Sequence, residues 1–181
     1  IHYRETLMSN SLLNIEQLLA ENNISASYLS ATTENPMAQL FIELFPEEEN
    51  SLTTQICHIP LPDSEVFILQ FYIQLPLPVP FQPNEEIPPF LISDLQAYIA
   101  NLNQIIPLVG FNCSQQKLYF RSSLVLEEYS VEQIIYYLEL LRYLIETCLS
   151  SLQSVAIGLE EVASAVANIP KLFSIEKNNE I

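Results

Sequence analysis

The feature that most constrains this chain is a change of period within residues 108–152. Leu118, Phe120, Ser122, Leu124 and Leu126 fall on one side of an alternating run, and Tyr119, Arg121, Ser123 and Val125 fall on the other. That is the two-residue repeat of a strand rich in aromatic and aliphatic side chains. Ser114-Gln115-Gln116 supplies a polar turn back to Val109, Phe111 and Cys113, so the segment predicts a hairpin. From Val131 the period becomes helical, and Val131, Ile134, Ile135, Leu138, Leu141, Ile145, Cys148, Leu149 and Leu152 form one stripe. Ser130 is placed to cap this helix, with Glu127 and Glu128 near its positive end. A hairpin that runs directly into a long amphipathic helix requires a sheet with a helix laid across it.

The helix has more apolar surface than one sheet can cover. Tyr136, Leu140, Tyr143 and Leu144 fall outside the stripe, which leaves Glu132, Glu139, Arg142, Glu146 and Ser150 as a narrow polar band. Glu139 and Glu146 flank Arg142 at helical-neighbour spacing, a solvated ladder worth about 0.2–0.5 kcal/mol per pair. Either a second helix of the same domain covers the extra apolar face, or a subunit or partner does. Tyr136, Leu140, Tyr143 and Leu144 are therefore the candidate interface.

In chain order, Ser9 to Glu21 predicts a first helix, capped by Ser9 or Asn10 and ended by Asn22-Asn23. Ile24 to Ala31 allows a first strand. Met37 to Phe45, Leu52 to Ile59 and Glu65 to Leu75 read as strands, the last apolar enough to lie centrally. Glu47-Glu48-Glu49 marks an acidic loop. Pro76 to Pro89 holds half of the 12 prolines and reads as a rigid crossover loop; a polyproline ligand is the other reading. Phe90 to Ile105 predicts a second helix closed by Pro107, and Gly158 ends the long one. Leu159 to Ile169 allows a further short helix, and Lys171 to Ile181 reads as a tail. The order α-β-β-β-α-β-β-α, with three or four strands before the second helix, predicts an α+β fold. It has an antiparallel sheet with helices packed on it. Residues 9–157 form the domain and 158–181 a helical extension and tail.

Glycine stands only at positions 110 and 158, so no Gly-rich phosphate loop can be built. Cys57-His58 is a tempting dyad, but neighbours on a strand point to opposite faces. No Cys or His spacing resembles a zinc site, and no metal or cofactor is expected. Glu127-Glu128 and Glu160-Glu161 read as helix-terminal charges rather than a glycosidase pair. Arg121, alone in an apolar strand, reads as half of a structural ion pair rather than an anion site. Net charge is −16, from 22 acidic and 6 basic residues. Nucleic acid and anionic membranes are poor partners for such a chain. The charge serves either solubility or the steering of basic segments of another protein. Cys57, Cys113 and Cys148 sit in apolar segments at irregular spacing and predict reduced, buried thiols in the cytosol. No apolar run approaches a membrane span, and the first residues lack the features of a secretory signal. Met8 fits a native start.

The segment Leu102 to Phe111 (Leu-Asn-Gln-Ile-Ile-Pro-Leu-Val-Gly-Phe), then Lys117 to Leu124 (Lys-Leu-Tyr-Phe-Arg-Ser-Ser-Leu), then an acidic turn and a helix, resembles the YbjN family. That family looks like type III secretion chaperones in fold. The likeness covers Ser9 to Leu152; the Pro-rich crossover and the segment after Gly158 depart from it. The resemblance implies a small, acidic, dimeric, non-enzymatic protein that binds extended segments of a client, or a regulator. The expected function is thus a chaperone-like or regulatory binder of another polypeptide, through hydrophobic patches or strand addition. The alternative is a scaffolding homodimer without a separate client. A homodimer through the extra face of the long helix is the expected assembly.

Overall fold

The computed structural model describes residues 2–46, 51–61, 66–76, 87, 89–106, 109–114, 117–126 and 130–173. Among them the elements run α1 (His2–Glu21), β1 (Ala26–Leu29), β2 (Gln39–Glu43), β3 (Thr53–Pro60) and β4 (Phe67–Leu75). Then come α2 (Pro89–Ile105), β5 (Val109–Ser114), β6 (Lys117–Leu126), α3 (Val131–Ala156) and α4 (Val162–Leu172). The strands form one antiparallel sheet in the order β1-β2-β3-β4-β6-β5. The chain is α+β, as the periods predict. Four strands precede α2, because the short β1 pairs with β2 from Ala26↔Ile42 to Leu29↔Gln39.

The period-two pattern sorts each strand into a helix-facing and an open side. Leu40, Ile42, Ile56, Leu69, Phe71, Ile73, Phe111, Leu118 and Phe120 are buried under the helices. Each fully buried side chain of this size contributes about 1.5–3 kcal/mol. β4 is interior, as its apolar run requires, and β6 pairs along its whole length from Phe67↔Leu126 to Leu75↔Leu118. The β5–β6 hairpin runs from Val109↔Ser122 to Ser114↔Lys117. α2 carries the chain from β4 to β5, and β6 then fills the place between them.

α3 lies centrally in the helix layer. α1 touches β1, β2, β3 and α3, while α2 touches β5, α3 and α4. The Tyr98 hydroxyl donates to Ser151 Oγ at 2.8 Å and ties α2 to α3. The Tyr137 hydroxyl shares a hydrogen bond with that of Ser122 and donates to the Ser123 carbonyl at 3.1 Å, which pins α3 to β6. Asn23 (φ 60) turns the chain out of α1, and Gly158 (φ 71) follows the end of α3, both as expected. Pro89 stands at the first position of α2, where its missing N–H does no harm.

Two boundaries differ from expectation. α1 extends back to His2, so neither Ser9 nor Asn10 caps it. α4 continues through Pro170 to Leu172, so Lys171 is helical rather than part of a tail. Ala165 and Ile169 of α4 are fully buried in the common core, so this extension is packed on the domain. The turn at residues 115–116, the loop 47–50, Glu127, Glu128, residues 77–86 of the crossover and the tail from 174 lie outside the described residues.

Both edges of the sheet are stopped by side chains. On β5, Asn103 Nδ2 donates to the Phe111 carbonyl at 2.9 Å, and the Phe111 N–H donates to Asn103 Oδ1 at 3.0 Å. On β1, the Tyr28 N–H donates to Glu16 Oε1 at 2.9 Å. These bonds occupy backbone groups that an added strand would need. Strand addition, one of the expected binding modes, is blocked at these two positions.

Candidate functional site

The site is built from α3 outward. The Ser130 backbone is extended, and its Oγ accepts a hydrogen bond from the Gln133 N–H at 3.3 Å. The same hydroxyl donates to Glu132 Oε2 at 3.0 Å. Hydrogen bonds from the Glu132 backbone N–H and then from Ser130 hold the Glu132 carboxyl below its usual range.

The buried arc of α3 holds Ile134, Tyr137, Leu138, Leu141, Leu144, Ile145, Cys148 and Leu152, with Val155 and Ala156 at its end. Here the expected interface narrows. Leu144 is only 6% exposed and belongs to the core, and Leu140 is half-buried. Tyr136 is 76% exposed and Tyr143 50% exposed. The reason is that helices flank α3 on both sides, which widens its buried arc beyond the stripe that faces the sheet. Tyr137 is a core residue that periodicity did not single out; it faces the sheet, with its ring on Phe71 of β4 and its hydroxyl on Ser122 and Ser123 of β6.

The two exposed tyrosines do not form a separate apolar face. They share the outward stripe with the acids: Glu132, Tyr136, Glu139, Tyr143, Glu146 and Ser150, every one exposed, follow alternating steps of four and three residues. Acid and ring thus alternate along the crest of the helix layer. Arg142 lies beside this crest. Its Nε reaches Glu146 Oε1 at 3.4 Å, and its guanidinium stacks over the Phe45 ring at 5.0 Å. Beside Glu139 opens a groove of about 240 Å³. Ile24, Ile42, Leu44 and Leu138 give it apolar lining, and Glu139 and Arg142 add charge.

The opposite surface is the open face of the sheet. One register row crosses it from Ser27 through Phe41, Gln55, Tyr72 and Arg121 to Gly110. Tyr72 packs on Tyr119 with ring centroids 5.1 Å apart, and its hydroxyl is pushed up to about 12, first by burial and then by Tyr119. Arg121 is exposed, and among the described residues it has no carboxylate within ion-pair distance. The expected structural ion pair is therefore absent there. Its neighbours across the strands are Tyr72 and Gly110, and Gly110 leaves a shallow dish of about 480 Å³ beside it.

Cys57 and His58 separate onto the two faces. Cys57 accepts a hydrogen bond from Gln55 Nε2 at 3.7 Å on the open side, and burial raises its thiol pKa. The His58 ring packs on Phe67 at 5.6 Å, its Nδ1 is buried without a hydrogen-bond partner among the described residues, and burial lowers its pKa. They cannot act as a nucleophile and base. Burial raises the Cys113 thiol as well and pushes Cys148 up to about 12. Among the described residues no three His, Cys, Asp or Glu side chains come together in a metal-binding group, and no helix is long and apolar enough to cross a membrane. Glu160 accepts a hydrogen bond from Asn168 at 3.5 Å, and Glu161 stands at the start of α4. No family model, no curated protein and no solved structure matches this chain.

Proposed function

We propose that this protein is a non-enzymatic, chaperone-like or regulatory binder of polypeptides, and that α3 presents its crest to a basic segment of the client. The observation that carries this reading is the alternation of Glu132, Tyr136, Glu139, Tyr143 and Glu146 on one exposed stripe. A tyrosine ring attracts a Lys or Arg head at its face, and the carboxylates on either side complete the cation's coordination. The groove beside Glu139 has room for the aliphatic stem of such a side chain.

Magnitudes set the kind of binding. An exposed cation–π contact gives about 0.5–1 kcal/mol, and an exposed ion pair about 0.2–1 kcal/mol. Two tyrosines and three carboxylates therefore supply a few kcal/mol, enough for reversible capture and too little for a permanent complex. Reversible capture is what a chaperone or regulator needs.

The test is fluorescence anisotropy with a labelled amphipathic peptide rich in Lys and Arg, against a control with those residues changed to Glu. The basic peptide binds, and its affinity falls with added salt. Tyr136→Ala with Tyr143→Ala weakens it about tenfold or more while thermal unfolding is unchanged. Equal binding of both peptides, or undiminished binding by the folded double variant, refutes the reading.

A further inference from the structure

We infer that the open face of the sheet is a self-complementary dimer surface, and that its occupant is a second copy of this chain. This surface is separate from the crest of α3 and does not depend on the client reading.

Charge singles out this face. The crest of α3 brings three carboxylates per copy, so two copies meeting there would set acid against acid. The open face is nearly neutral in a chain of net charge −16. By strand alternation its described charges are Glu43 at the end of β2 and Lys117 and Arg121 on β6.

Register then fixes the arrangement. In the order β1-β2-β3-β4-β6-β5 the midline runs between β3 and β4, so β2 and β6 lie equally far from it. A two-fold axis along the strands at that midline lays β6 of one copy over β2 of its partner, at the same level along the strands. Arg121 then faces the Phe41 ring of the other copy, because both stand in one row. Glu43 arrives at the level of Tyr119, between Arg121 and Lys117. Ile59 and Ile68, which pair directly within one sheet, meet their exchanged counterparts. Every contact is made twice, as an isologous interface requires. With a strand spacing of about 4.8 Å and a rise of about 3.3 Å per residue, the face is about 29 Å wide and about 17 Å long. In projection that is about 490 Å² per copy, below the ~800 Å² per partner of a standard interface, so the dimer is a reversible one of the micromolar range; sheets packed this way form an ordinary two-sheet sandwich.

Analytical ultracentrifugation of the full chain over the micromolar range tests the proposal, with circular dichroism to confirm folding. The wild type sediments as a dimer, at twice 20.6 kDa. Arg121→Glu weakens the dimer on the order of a hundredfold, since it faces an apolar ring near the partner's Glu43. Adding Phe41→Arg to that variant restores association, because the new cation meets the new carboxylate across the axis. Tyr136→Glu with Tyr143→Glu leaves the dimer intact. Cys57, on the buried face, reacts more slowly with a thiol reagent in the dimer than in the dissociated Arg121→Glu variant. A wild type that stays monomeric overturns the proposal, as does a dimer broken by the α3 variants but not by Arg121→Glu. Failure of the Phe41→Arg rescue overturns the assigned axis.

Discussion

Asn103→Ala unplugs the β5 edge. Asn103 makes two hydrogen bonds to the backbone of Phe111, at 2.9 and 3.0 Å, in the manner of a neighbouring strand. Phe111 is itself 2% exposed and holds the Phe120 ring edge-on, with centroids 5.0 Å apart. Each such bond contributes about 1 kcal/mol net, so the loss is about 2 kcal/mol. For a chain of this size that lowers the unfolding midpoint by about 4–8 °C. Asn101→Ala is the control, since its side chain bonds only to the Ala97 carbonyl one turn back at 2.8 Å; it shifts the midpoint by about 1 °C or less. The assay is thermal unfolding by circular dichroism together with amide exchange at Phe111. Asn103→Ala is expected to speed exchange of that amide and to increase aggregation on heating. An unchanged midpoint with a still-protected Phe111 amide refutes the idea that Asn103 acts as a surrogate strand.

Ser130→Ala removes the α3 cap and lowers stability by about 1 kcal/mol; NMR titration should also show the Glu132 pKa moving up toward its ordinary value, because one of its two hydrogen bonds is lost. His58 has its folded pKa held below the unfolded value of 6.5 by burial, so a proton binds the unfolded chain preferentially. Its contribution is complete above pH 6.5 and is lost as pH falls toward the folded pKa. Urea unfolding at stepped pH should show this loss, and His58→Gln should flatten it. The thiols of Cys113 and Cys148 are buried and raised in pKa, so mass spectrometry after alkylation of the native protein should find Cys57 modified first; simultaneous labelling of all three contradicts the packing.

Much of the fold was legible because it follows from local period. On β6 Leu118, Phe120, Ser122 and Leu126 are buried, and on the α3 stripe Ile134, Leu138, Leu141, Ile145, Cys148 and Leu152 are, while Leu124, Val131, Ile135 and Leu149 are half-buried. Asn23 and Gly158 announced their positive φ through residue type. What escaped depends on neighbours distant in sequence. Leu144 lies off the predicted stripe and is covered only because helices flank α3, and Tyr137 is covered by Phe71 of β4 and by β6. Tyr136 and Tyr143 are apolar by composition but share a stripe with three glutamates, which a division into polar and apolar arcs obscures. The plugs made by Glu16 and Asn103 carry no signal, since an exposed-looking Glu or Asn on a helix has the same pattern whether or not it reaches a strand. Arg121 lacks an ion pair among the described residues because its cross-strand neighbours are Tyr72 and Gly110, a matter of register that one strand alone does not reveal.

The place of β6 between β4 and β5 has a consequence for how the chain is made. β4 is the most apolar strand, and its second partner lies 43 to 59 residues further on, from Leu75↔Leu118 to Phe67↔Leu126. At a synthesis rate of about 5–20 residues per second, β1 to β4 emerge some seconds before β6. During that interval the sheet ends at β4, whose open edge has neither a side-chain plug nor a partner strand. The nascent chain is thus at its most adhesive between the emergence of β4 and that of β6, and native pairing must wait for a late segment to be inserted rather than appended. A chain cut after Ile106 should therefore aggregate far faster than the whole protein, whereas one that stays monomeric would show that the first four strands shield their own edge.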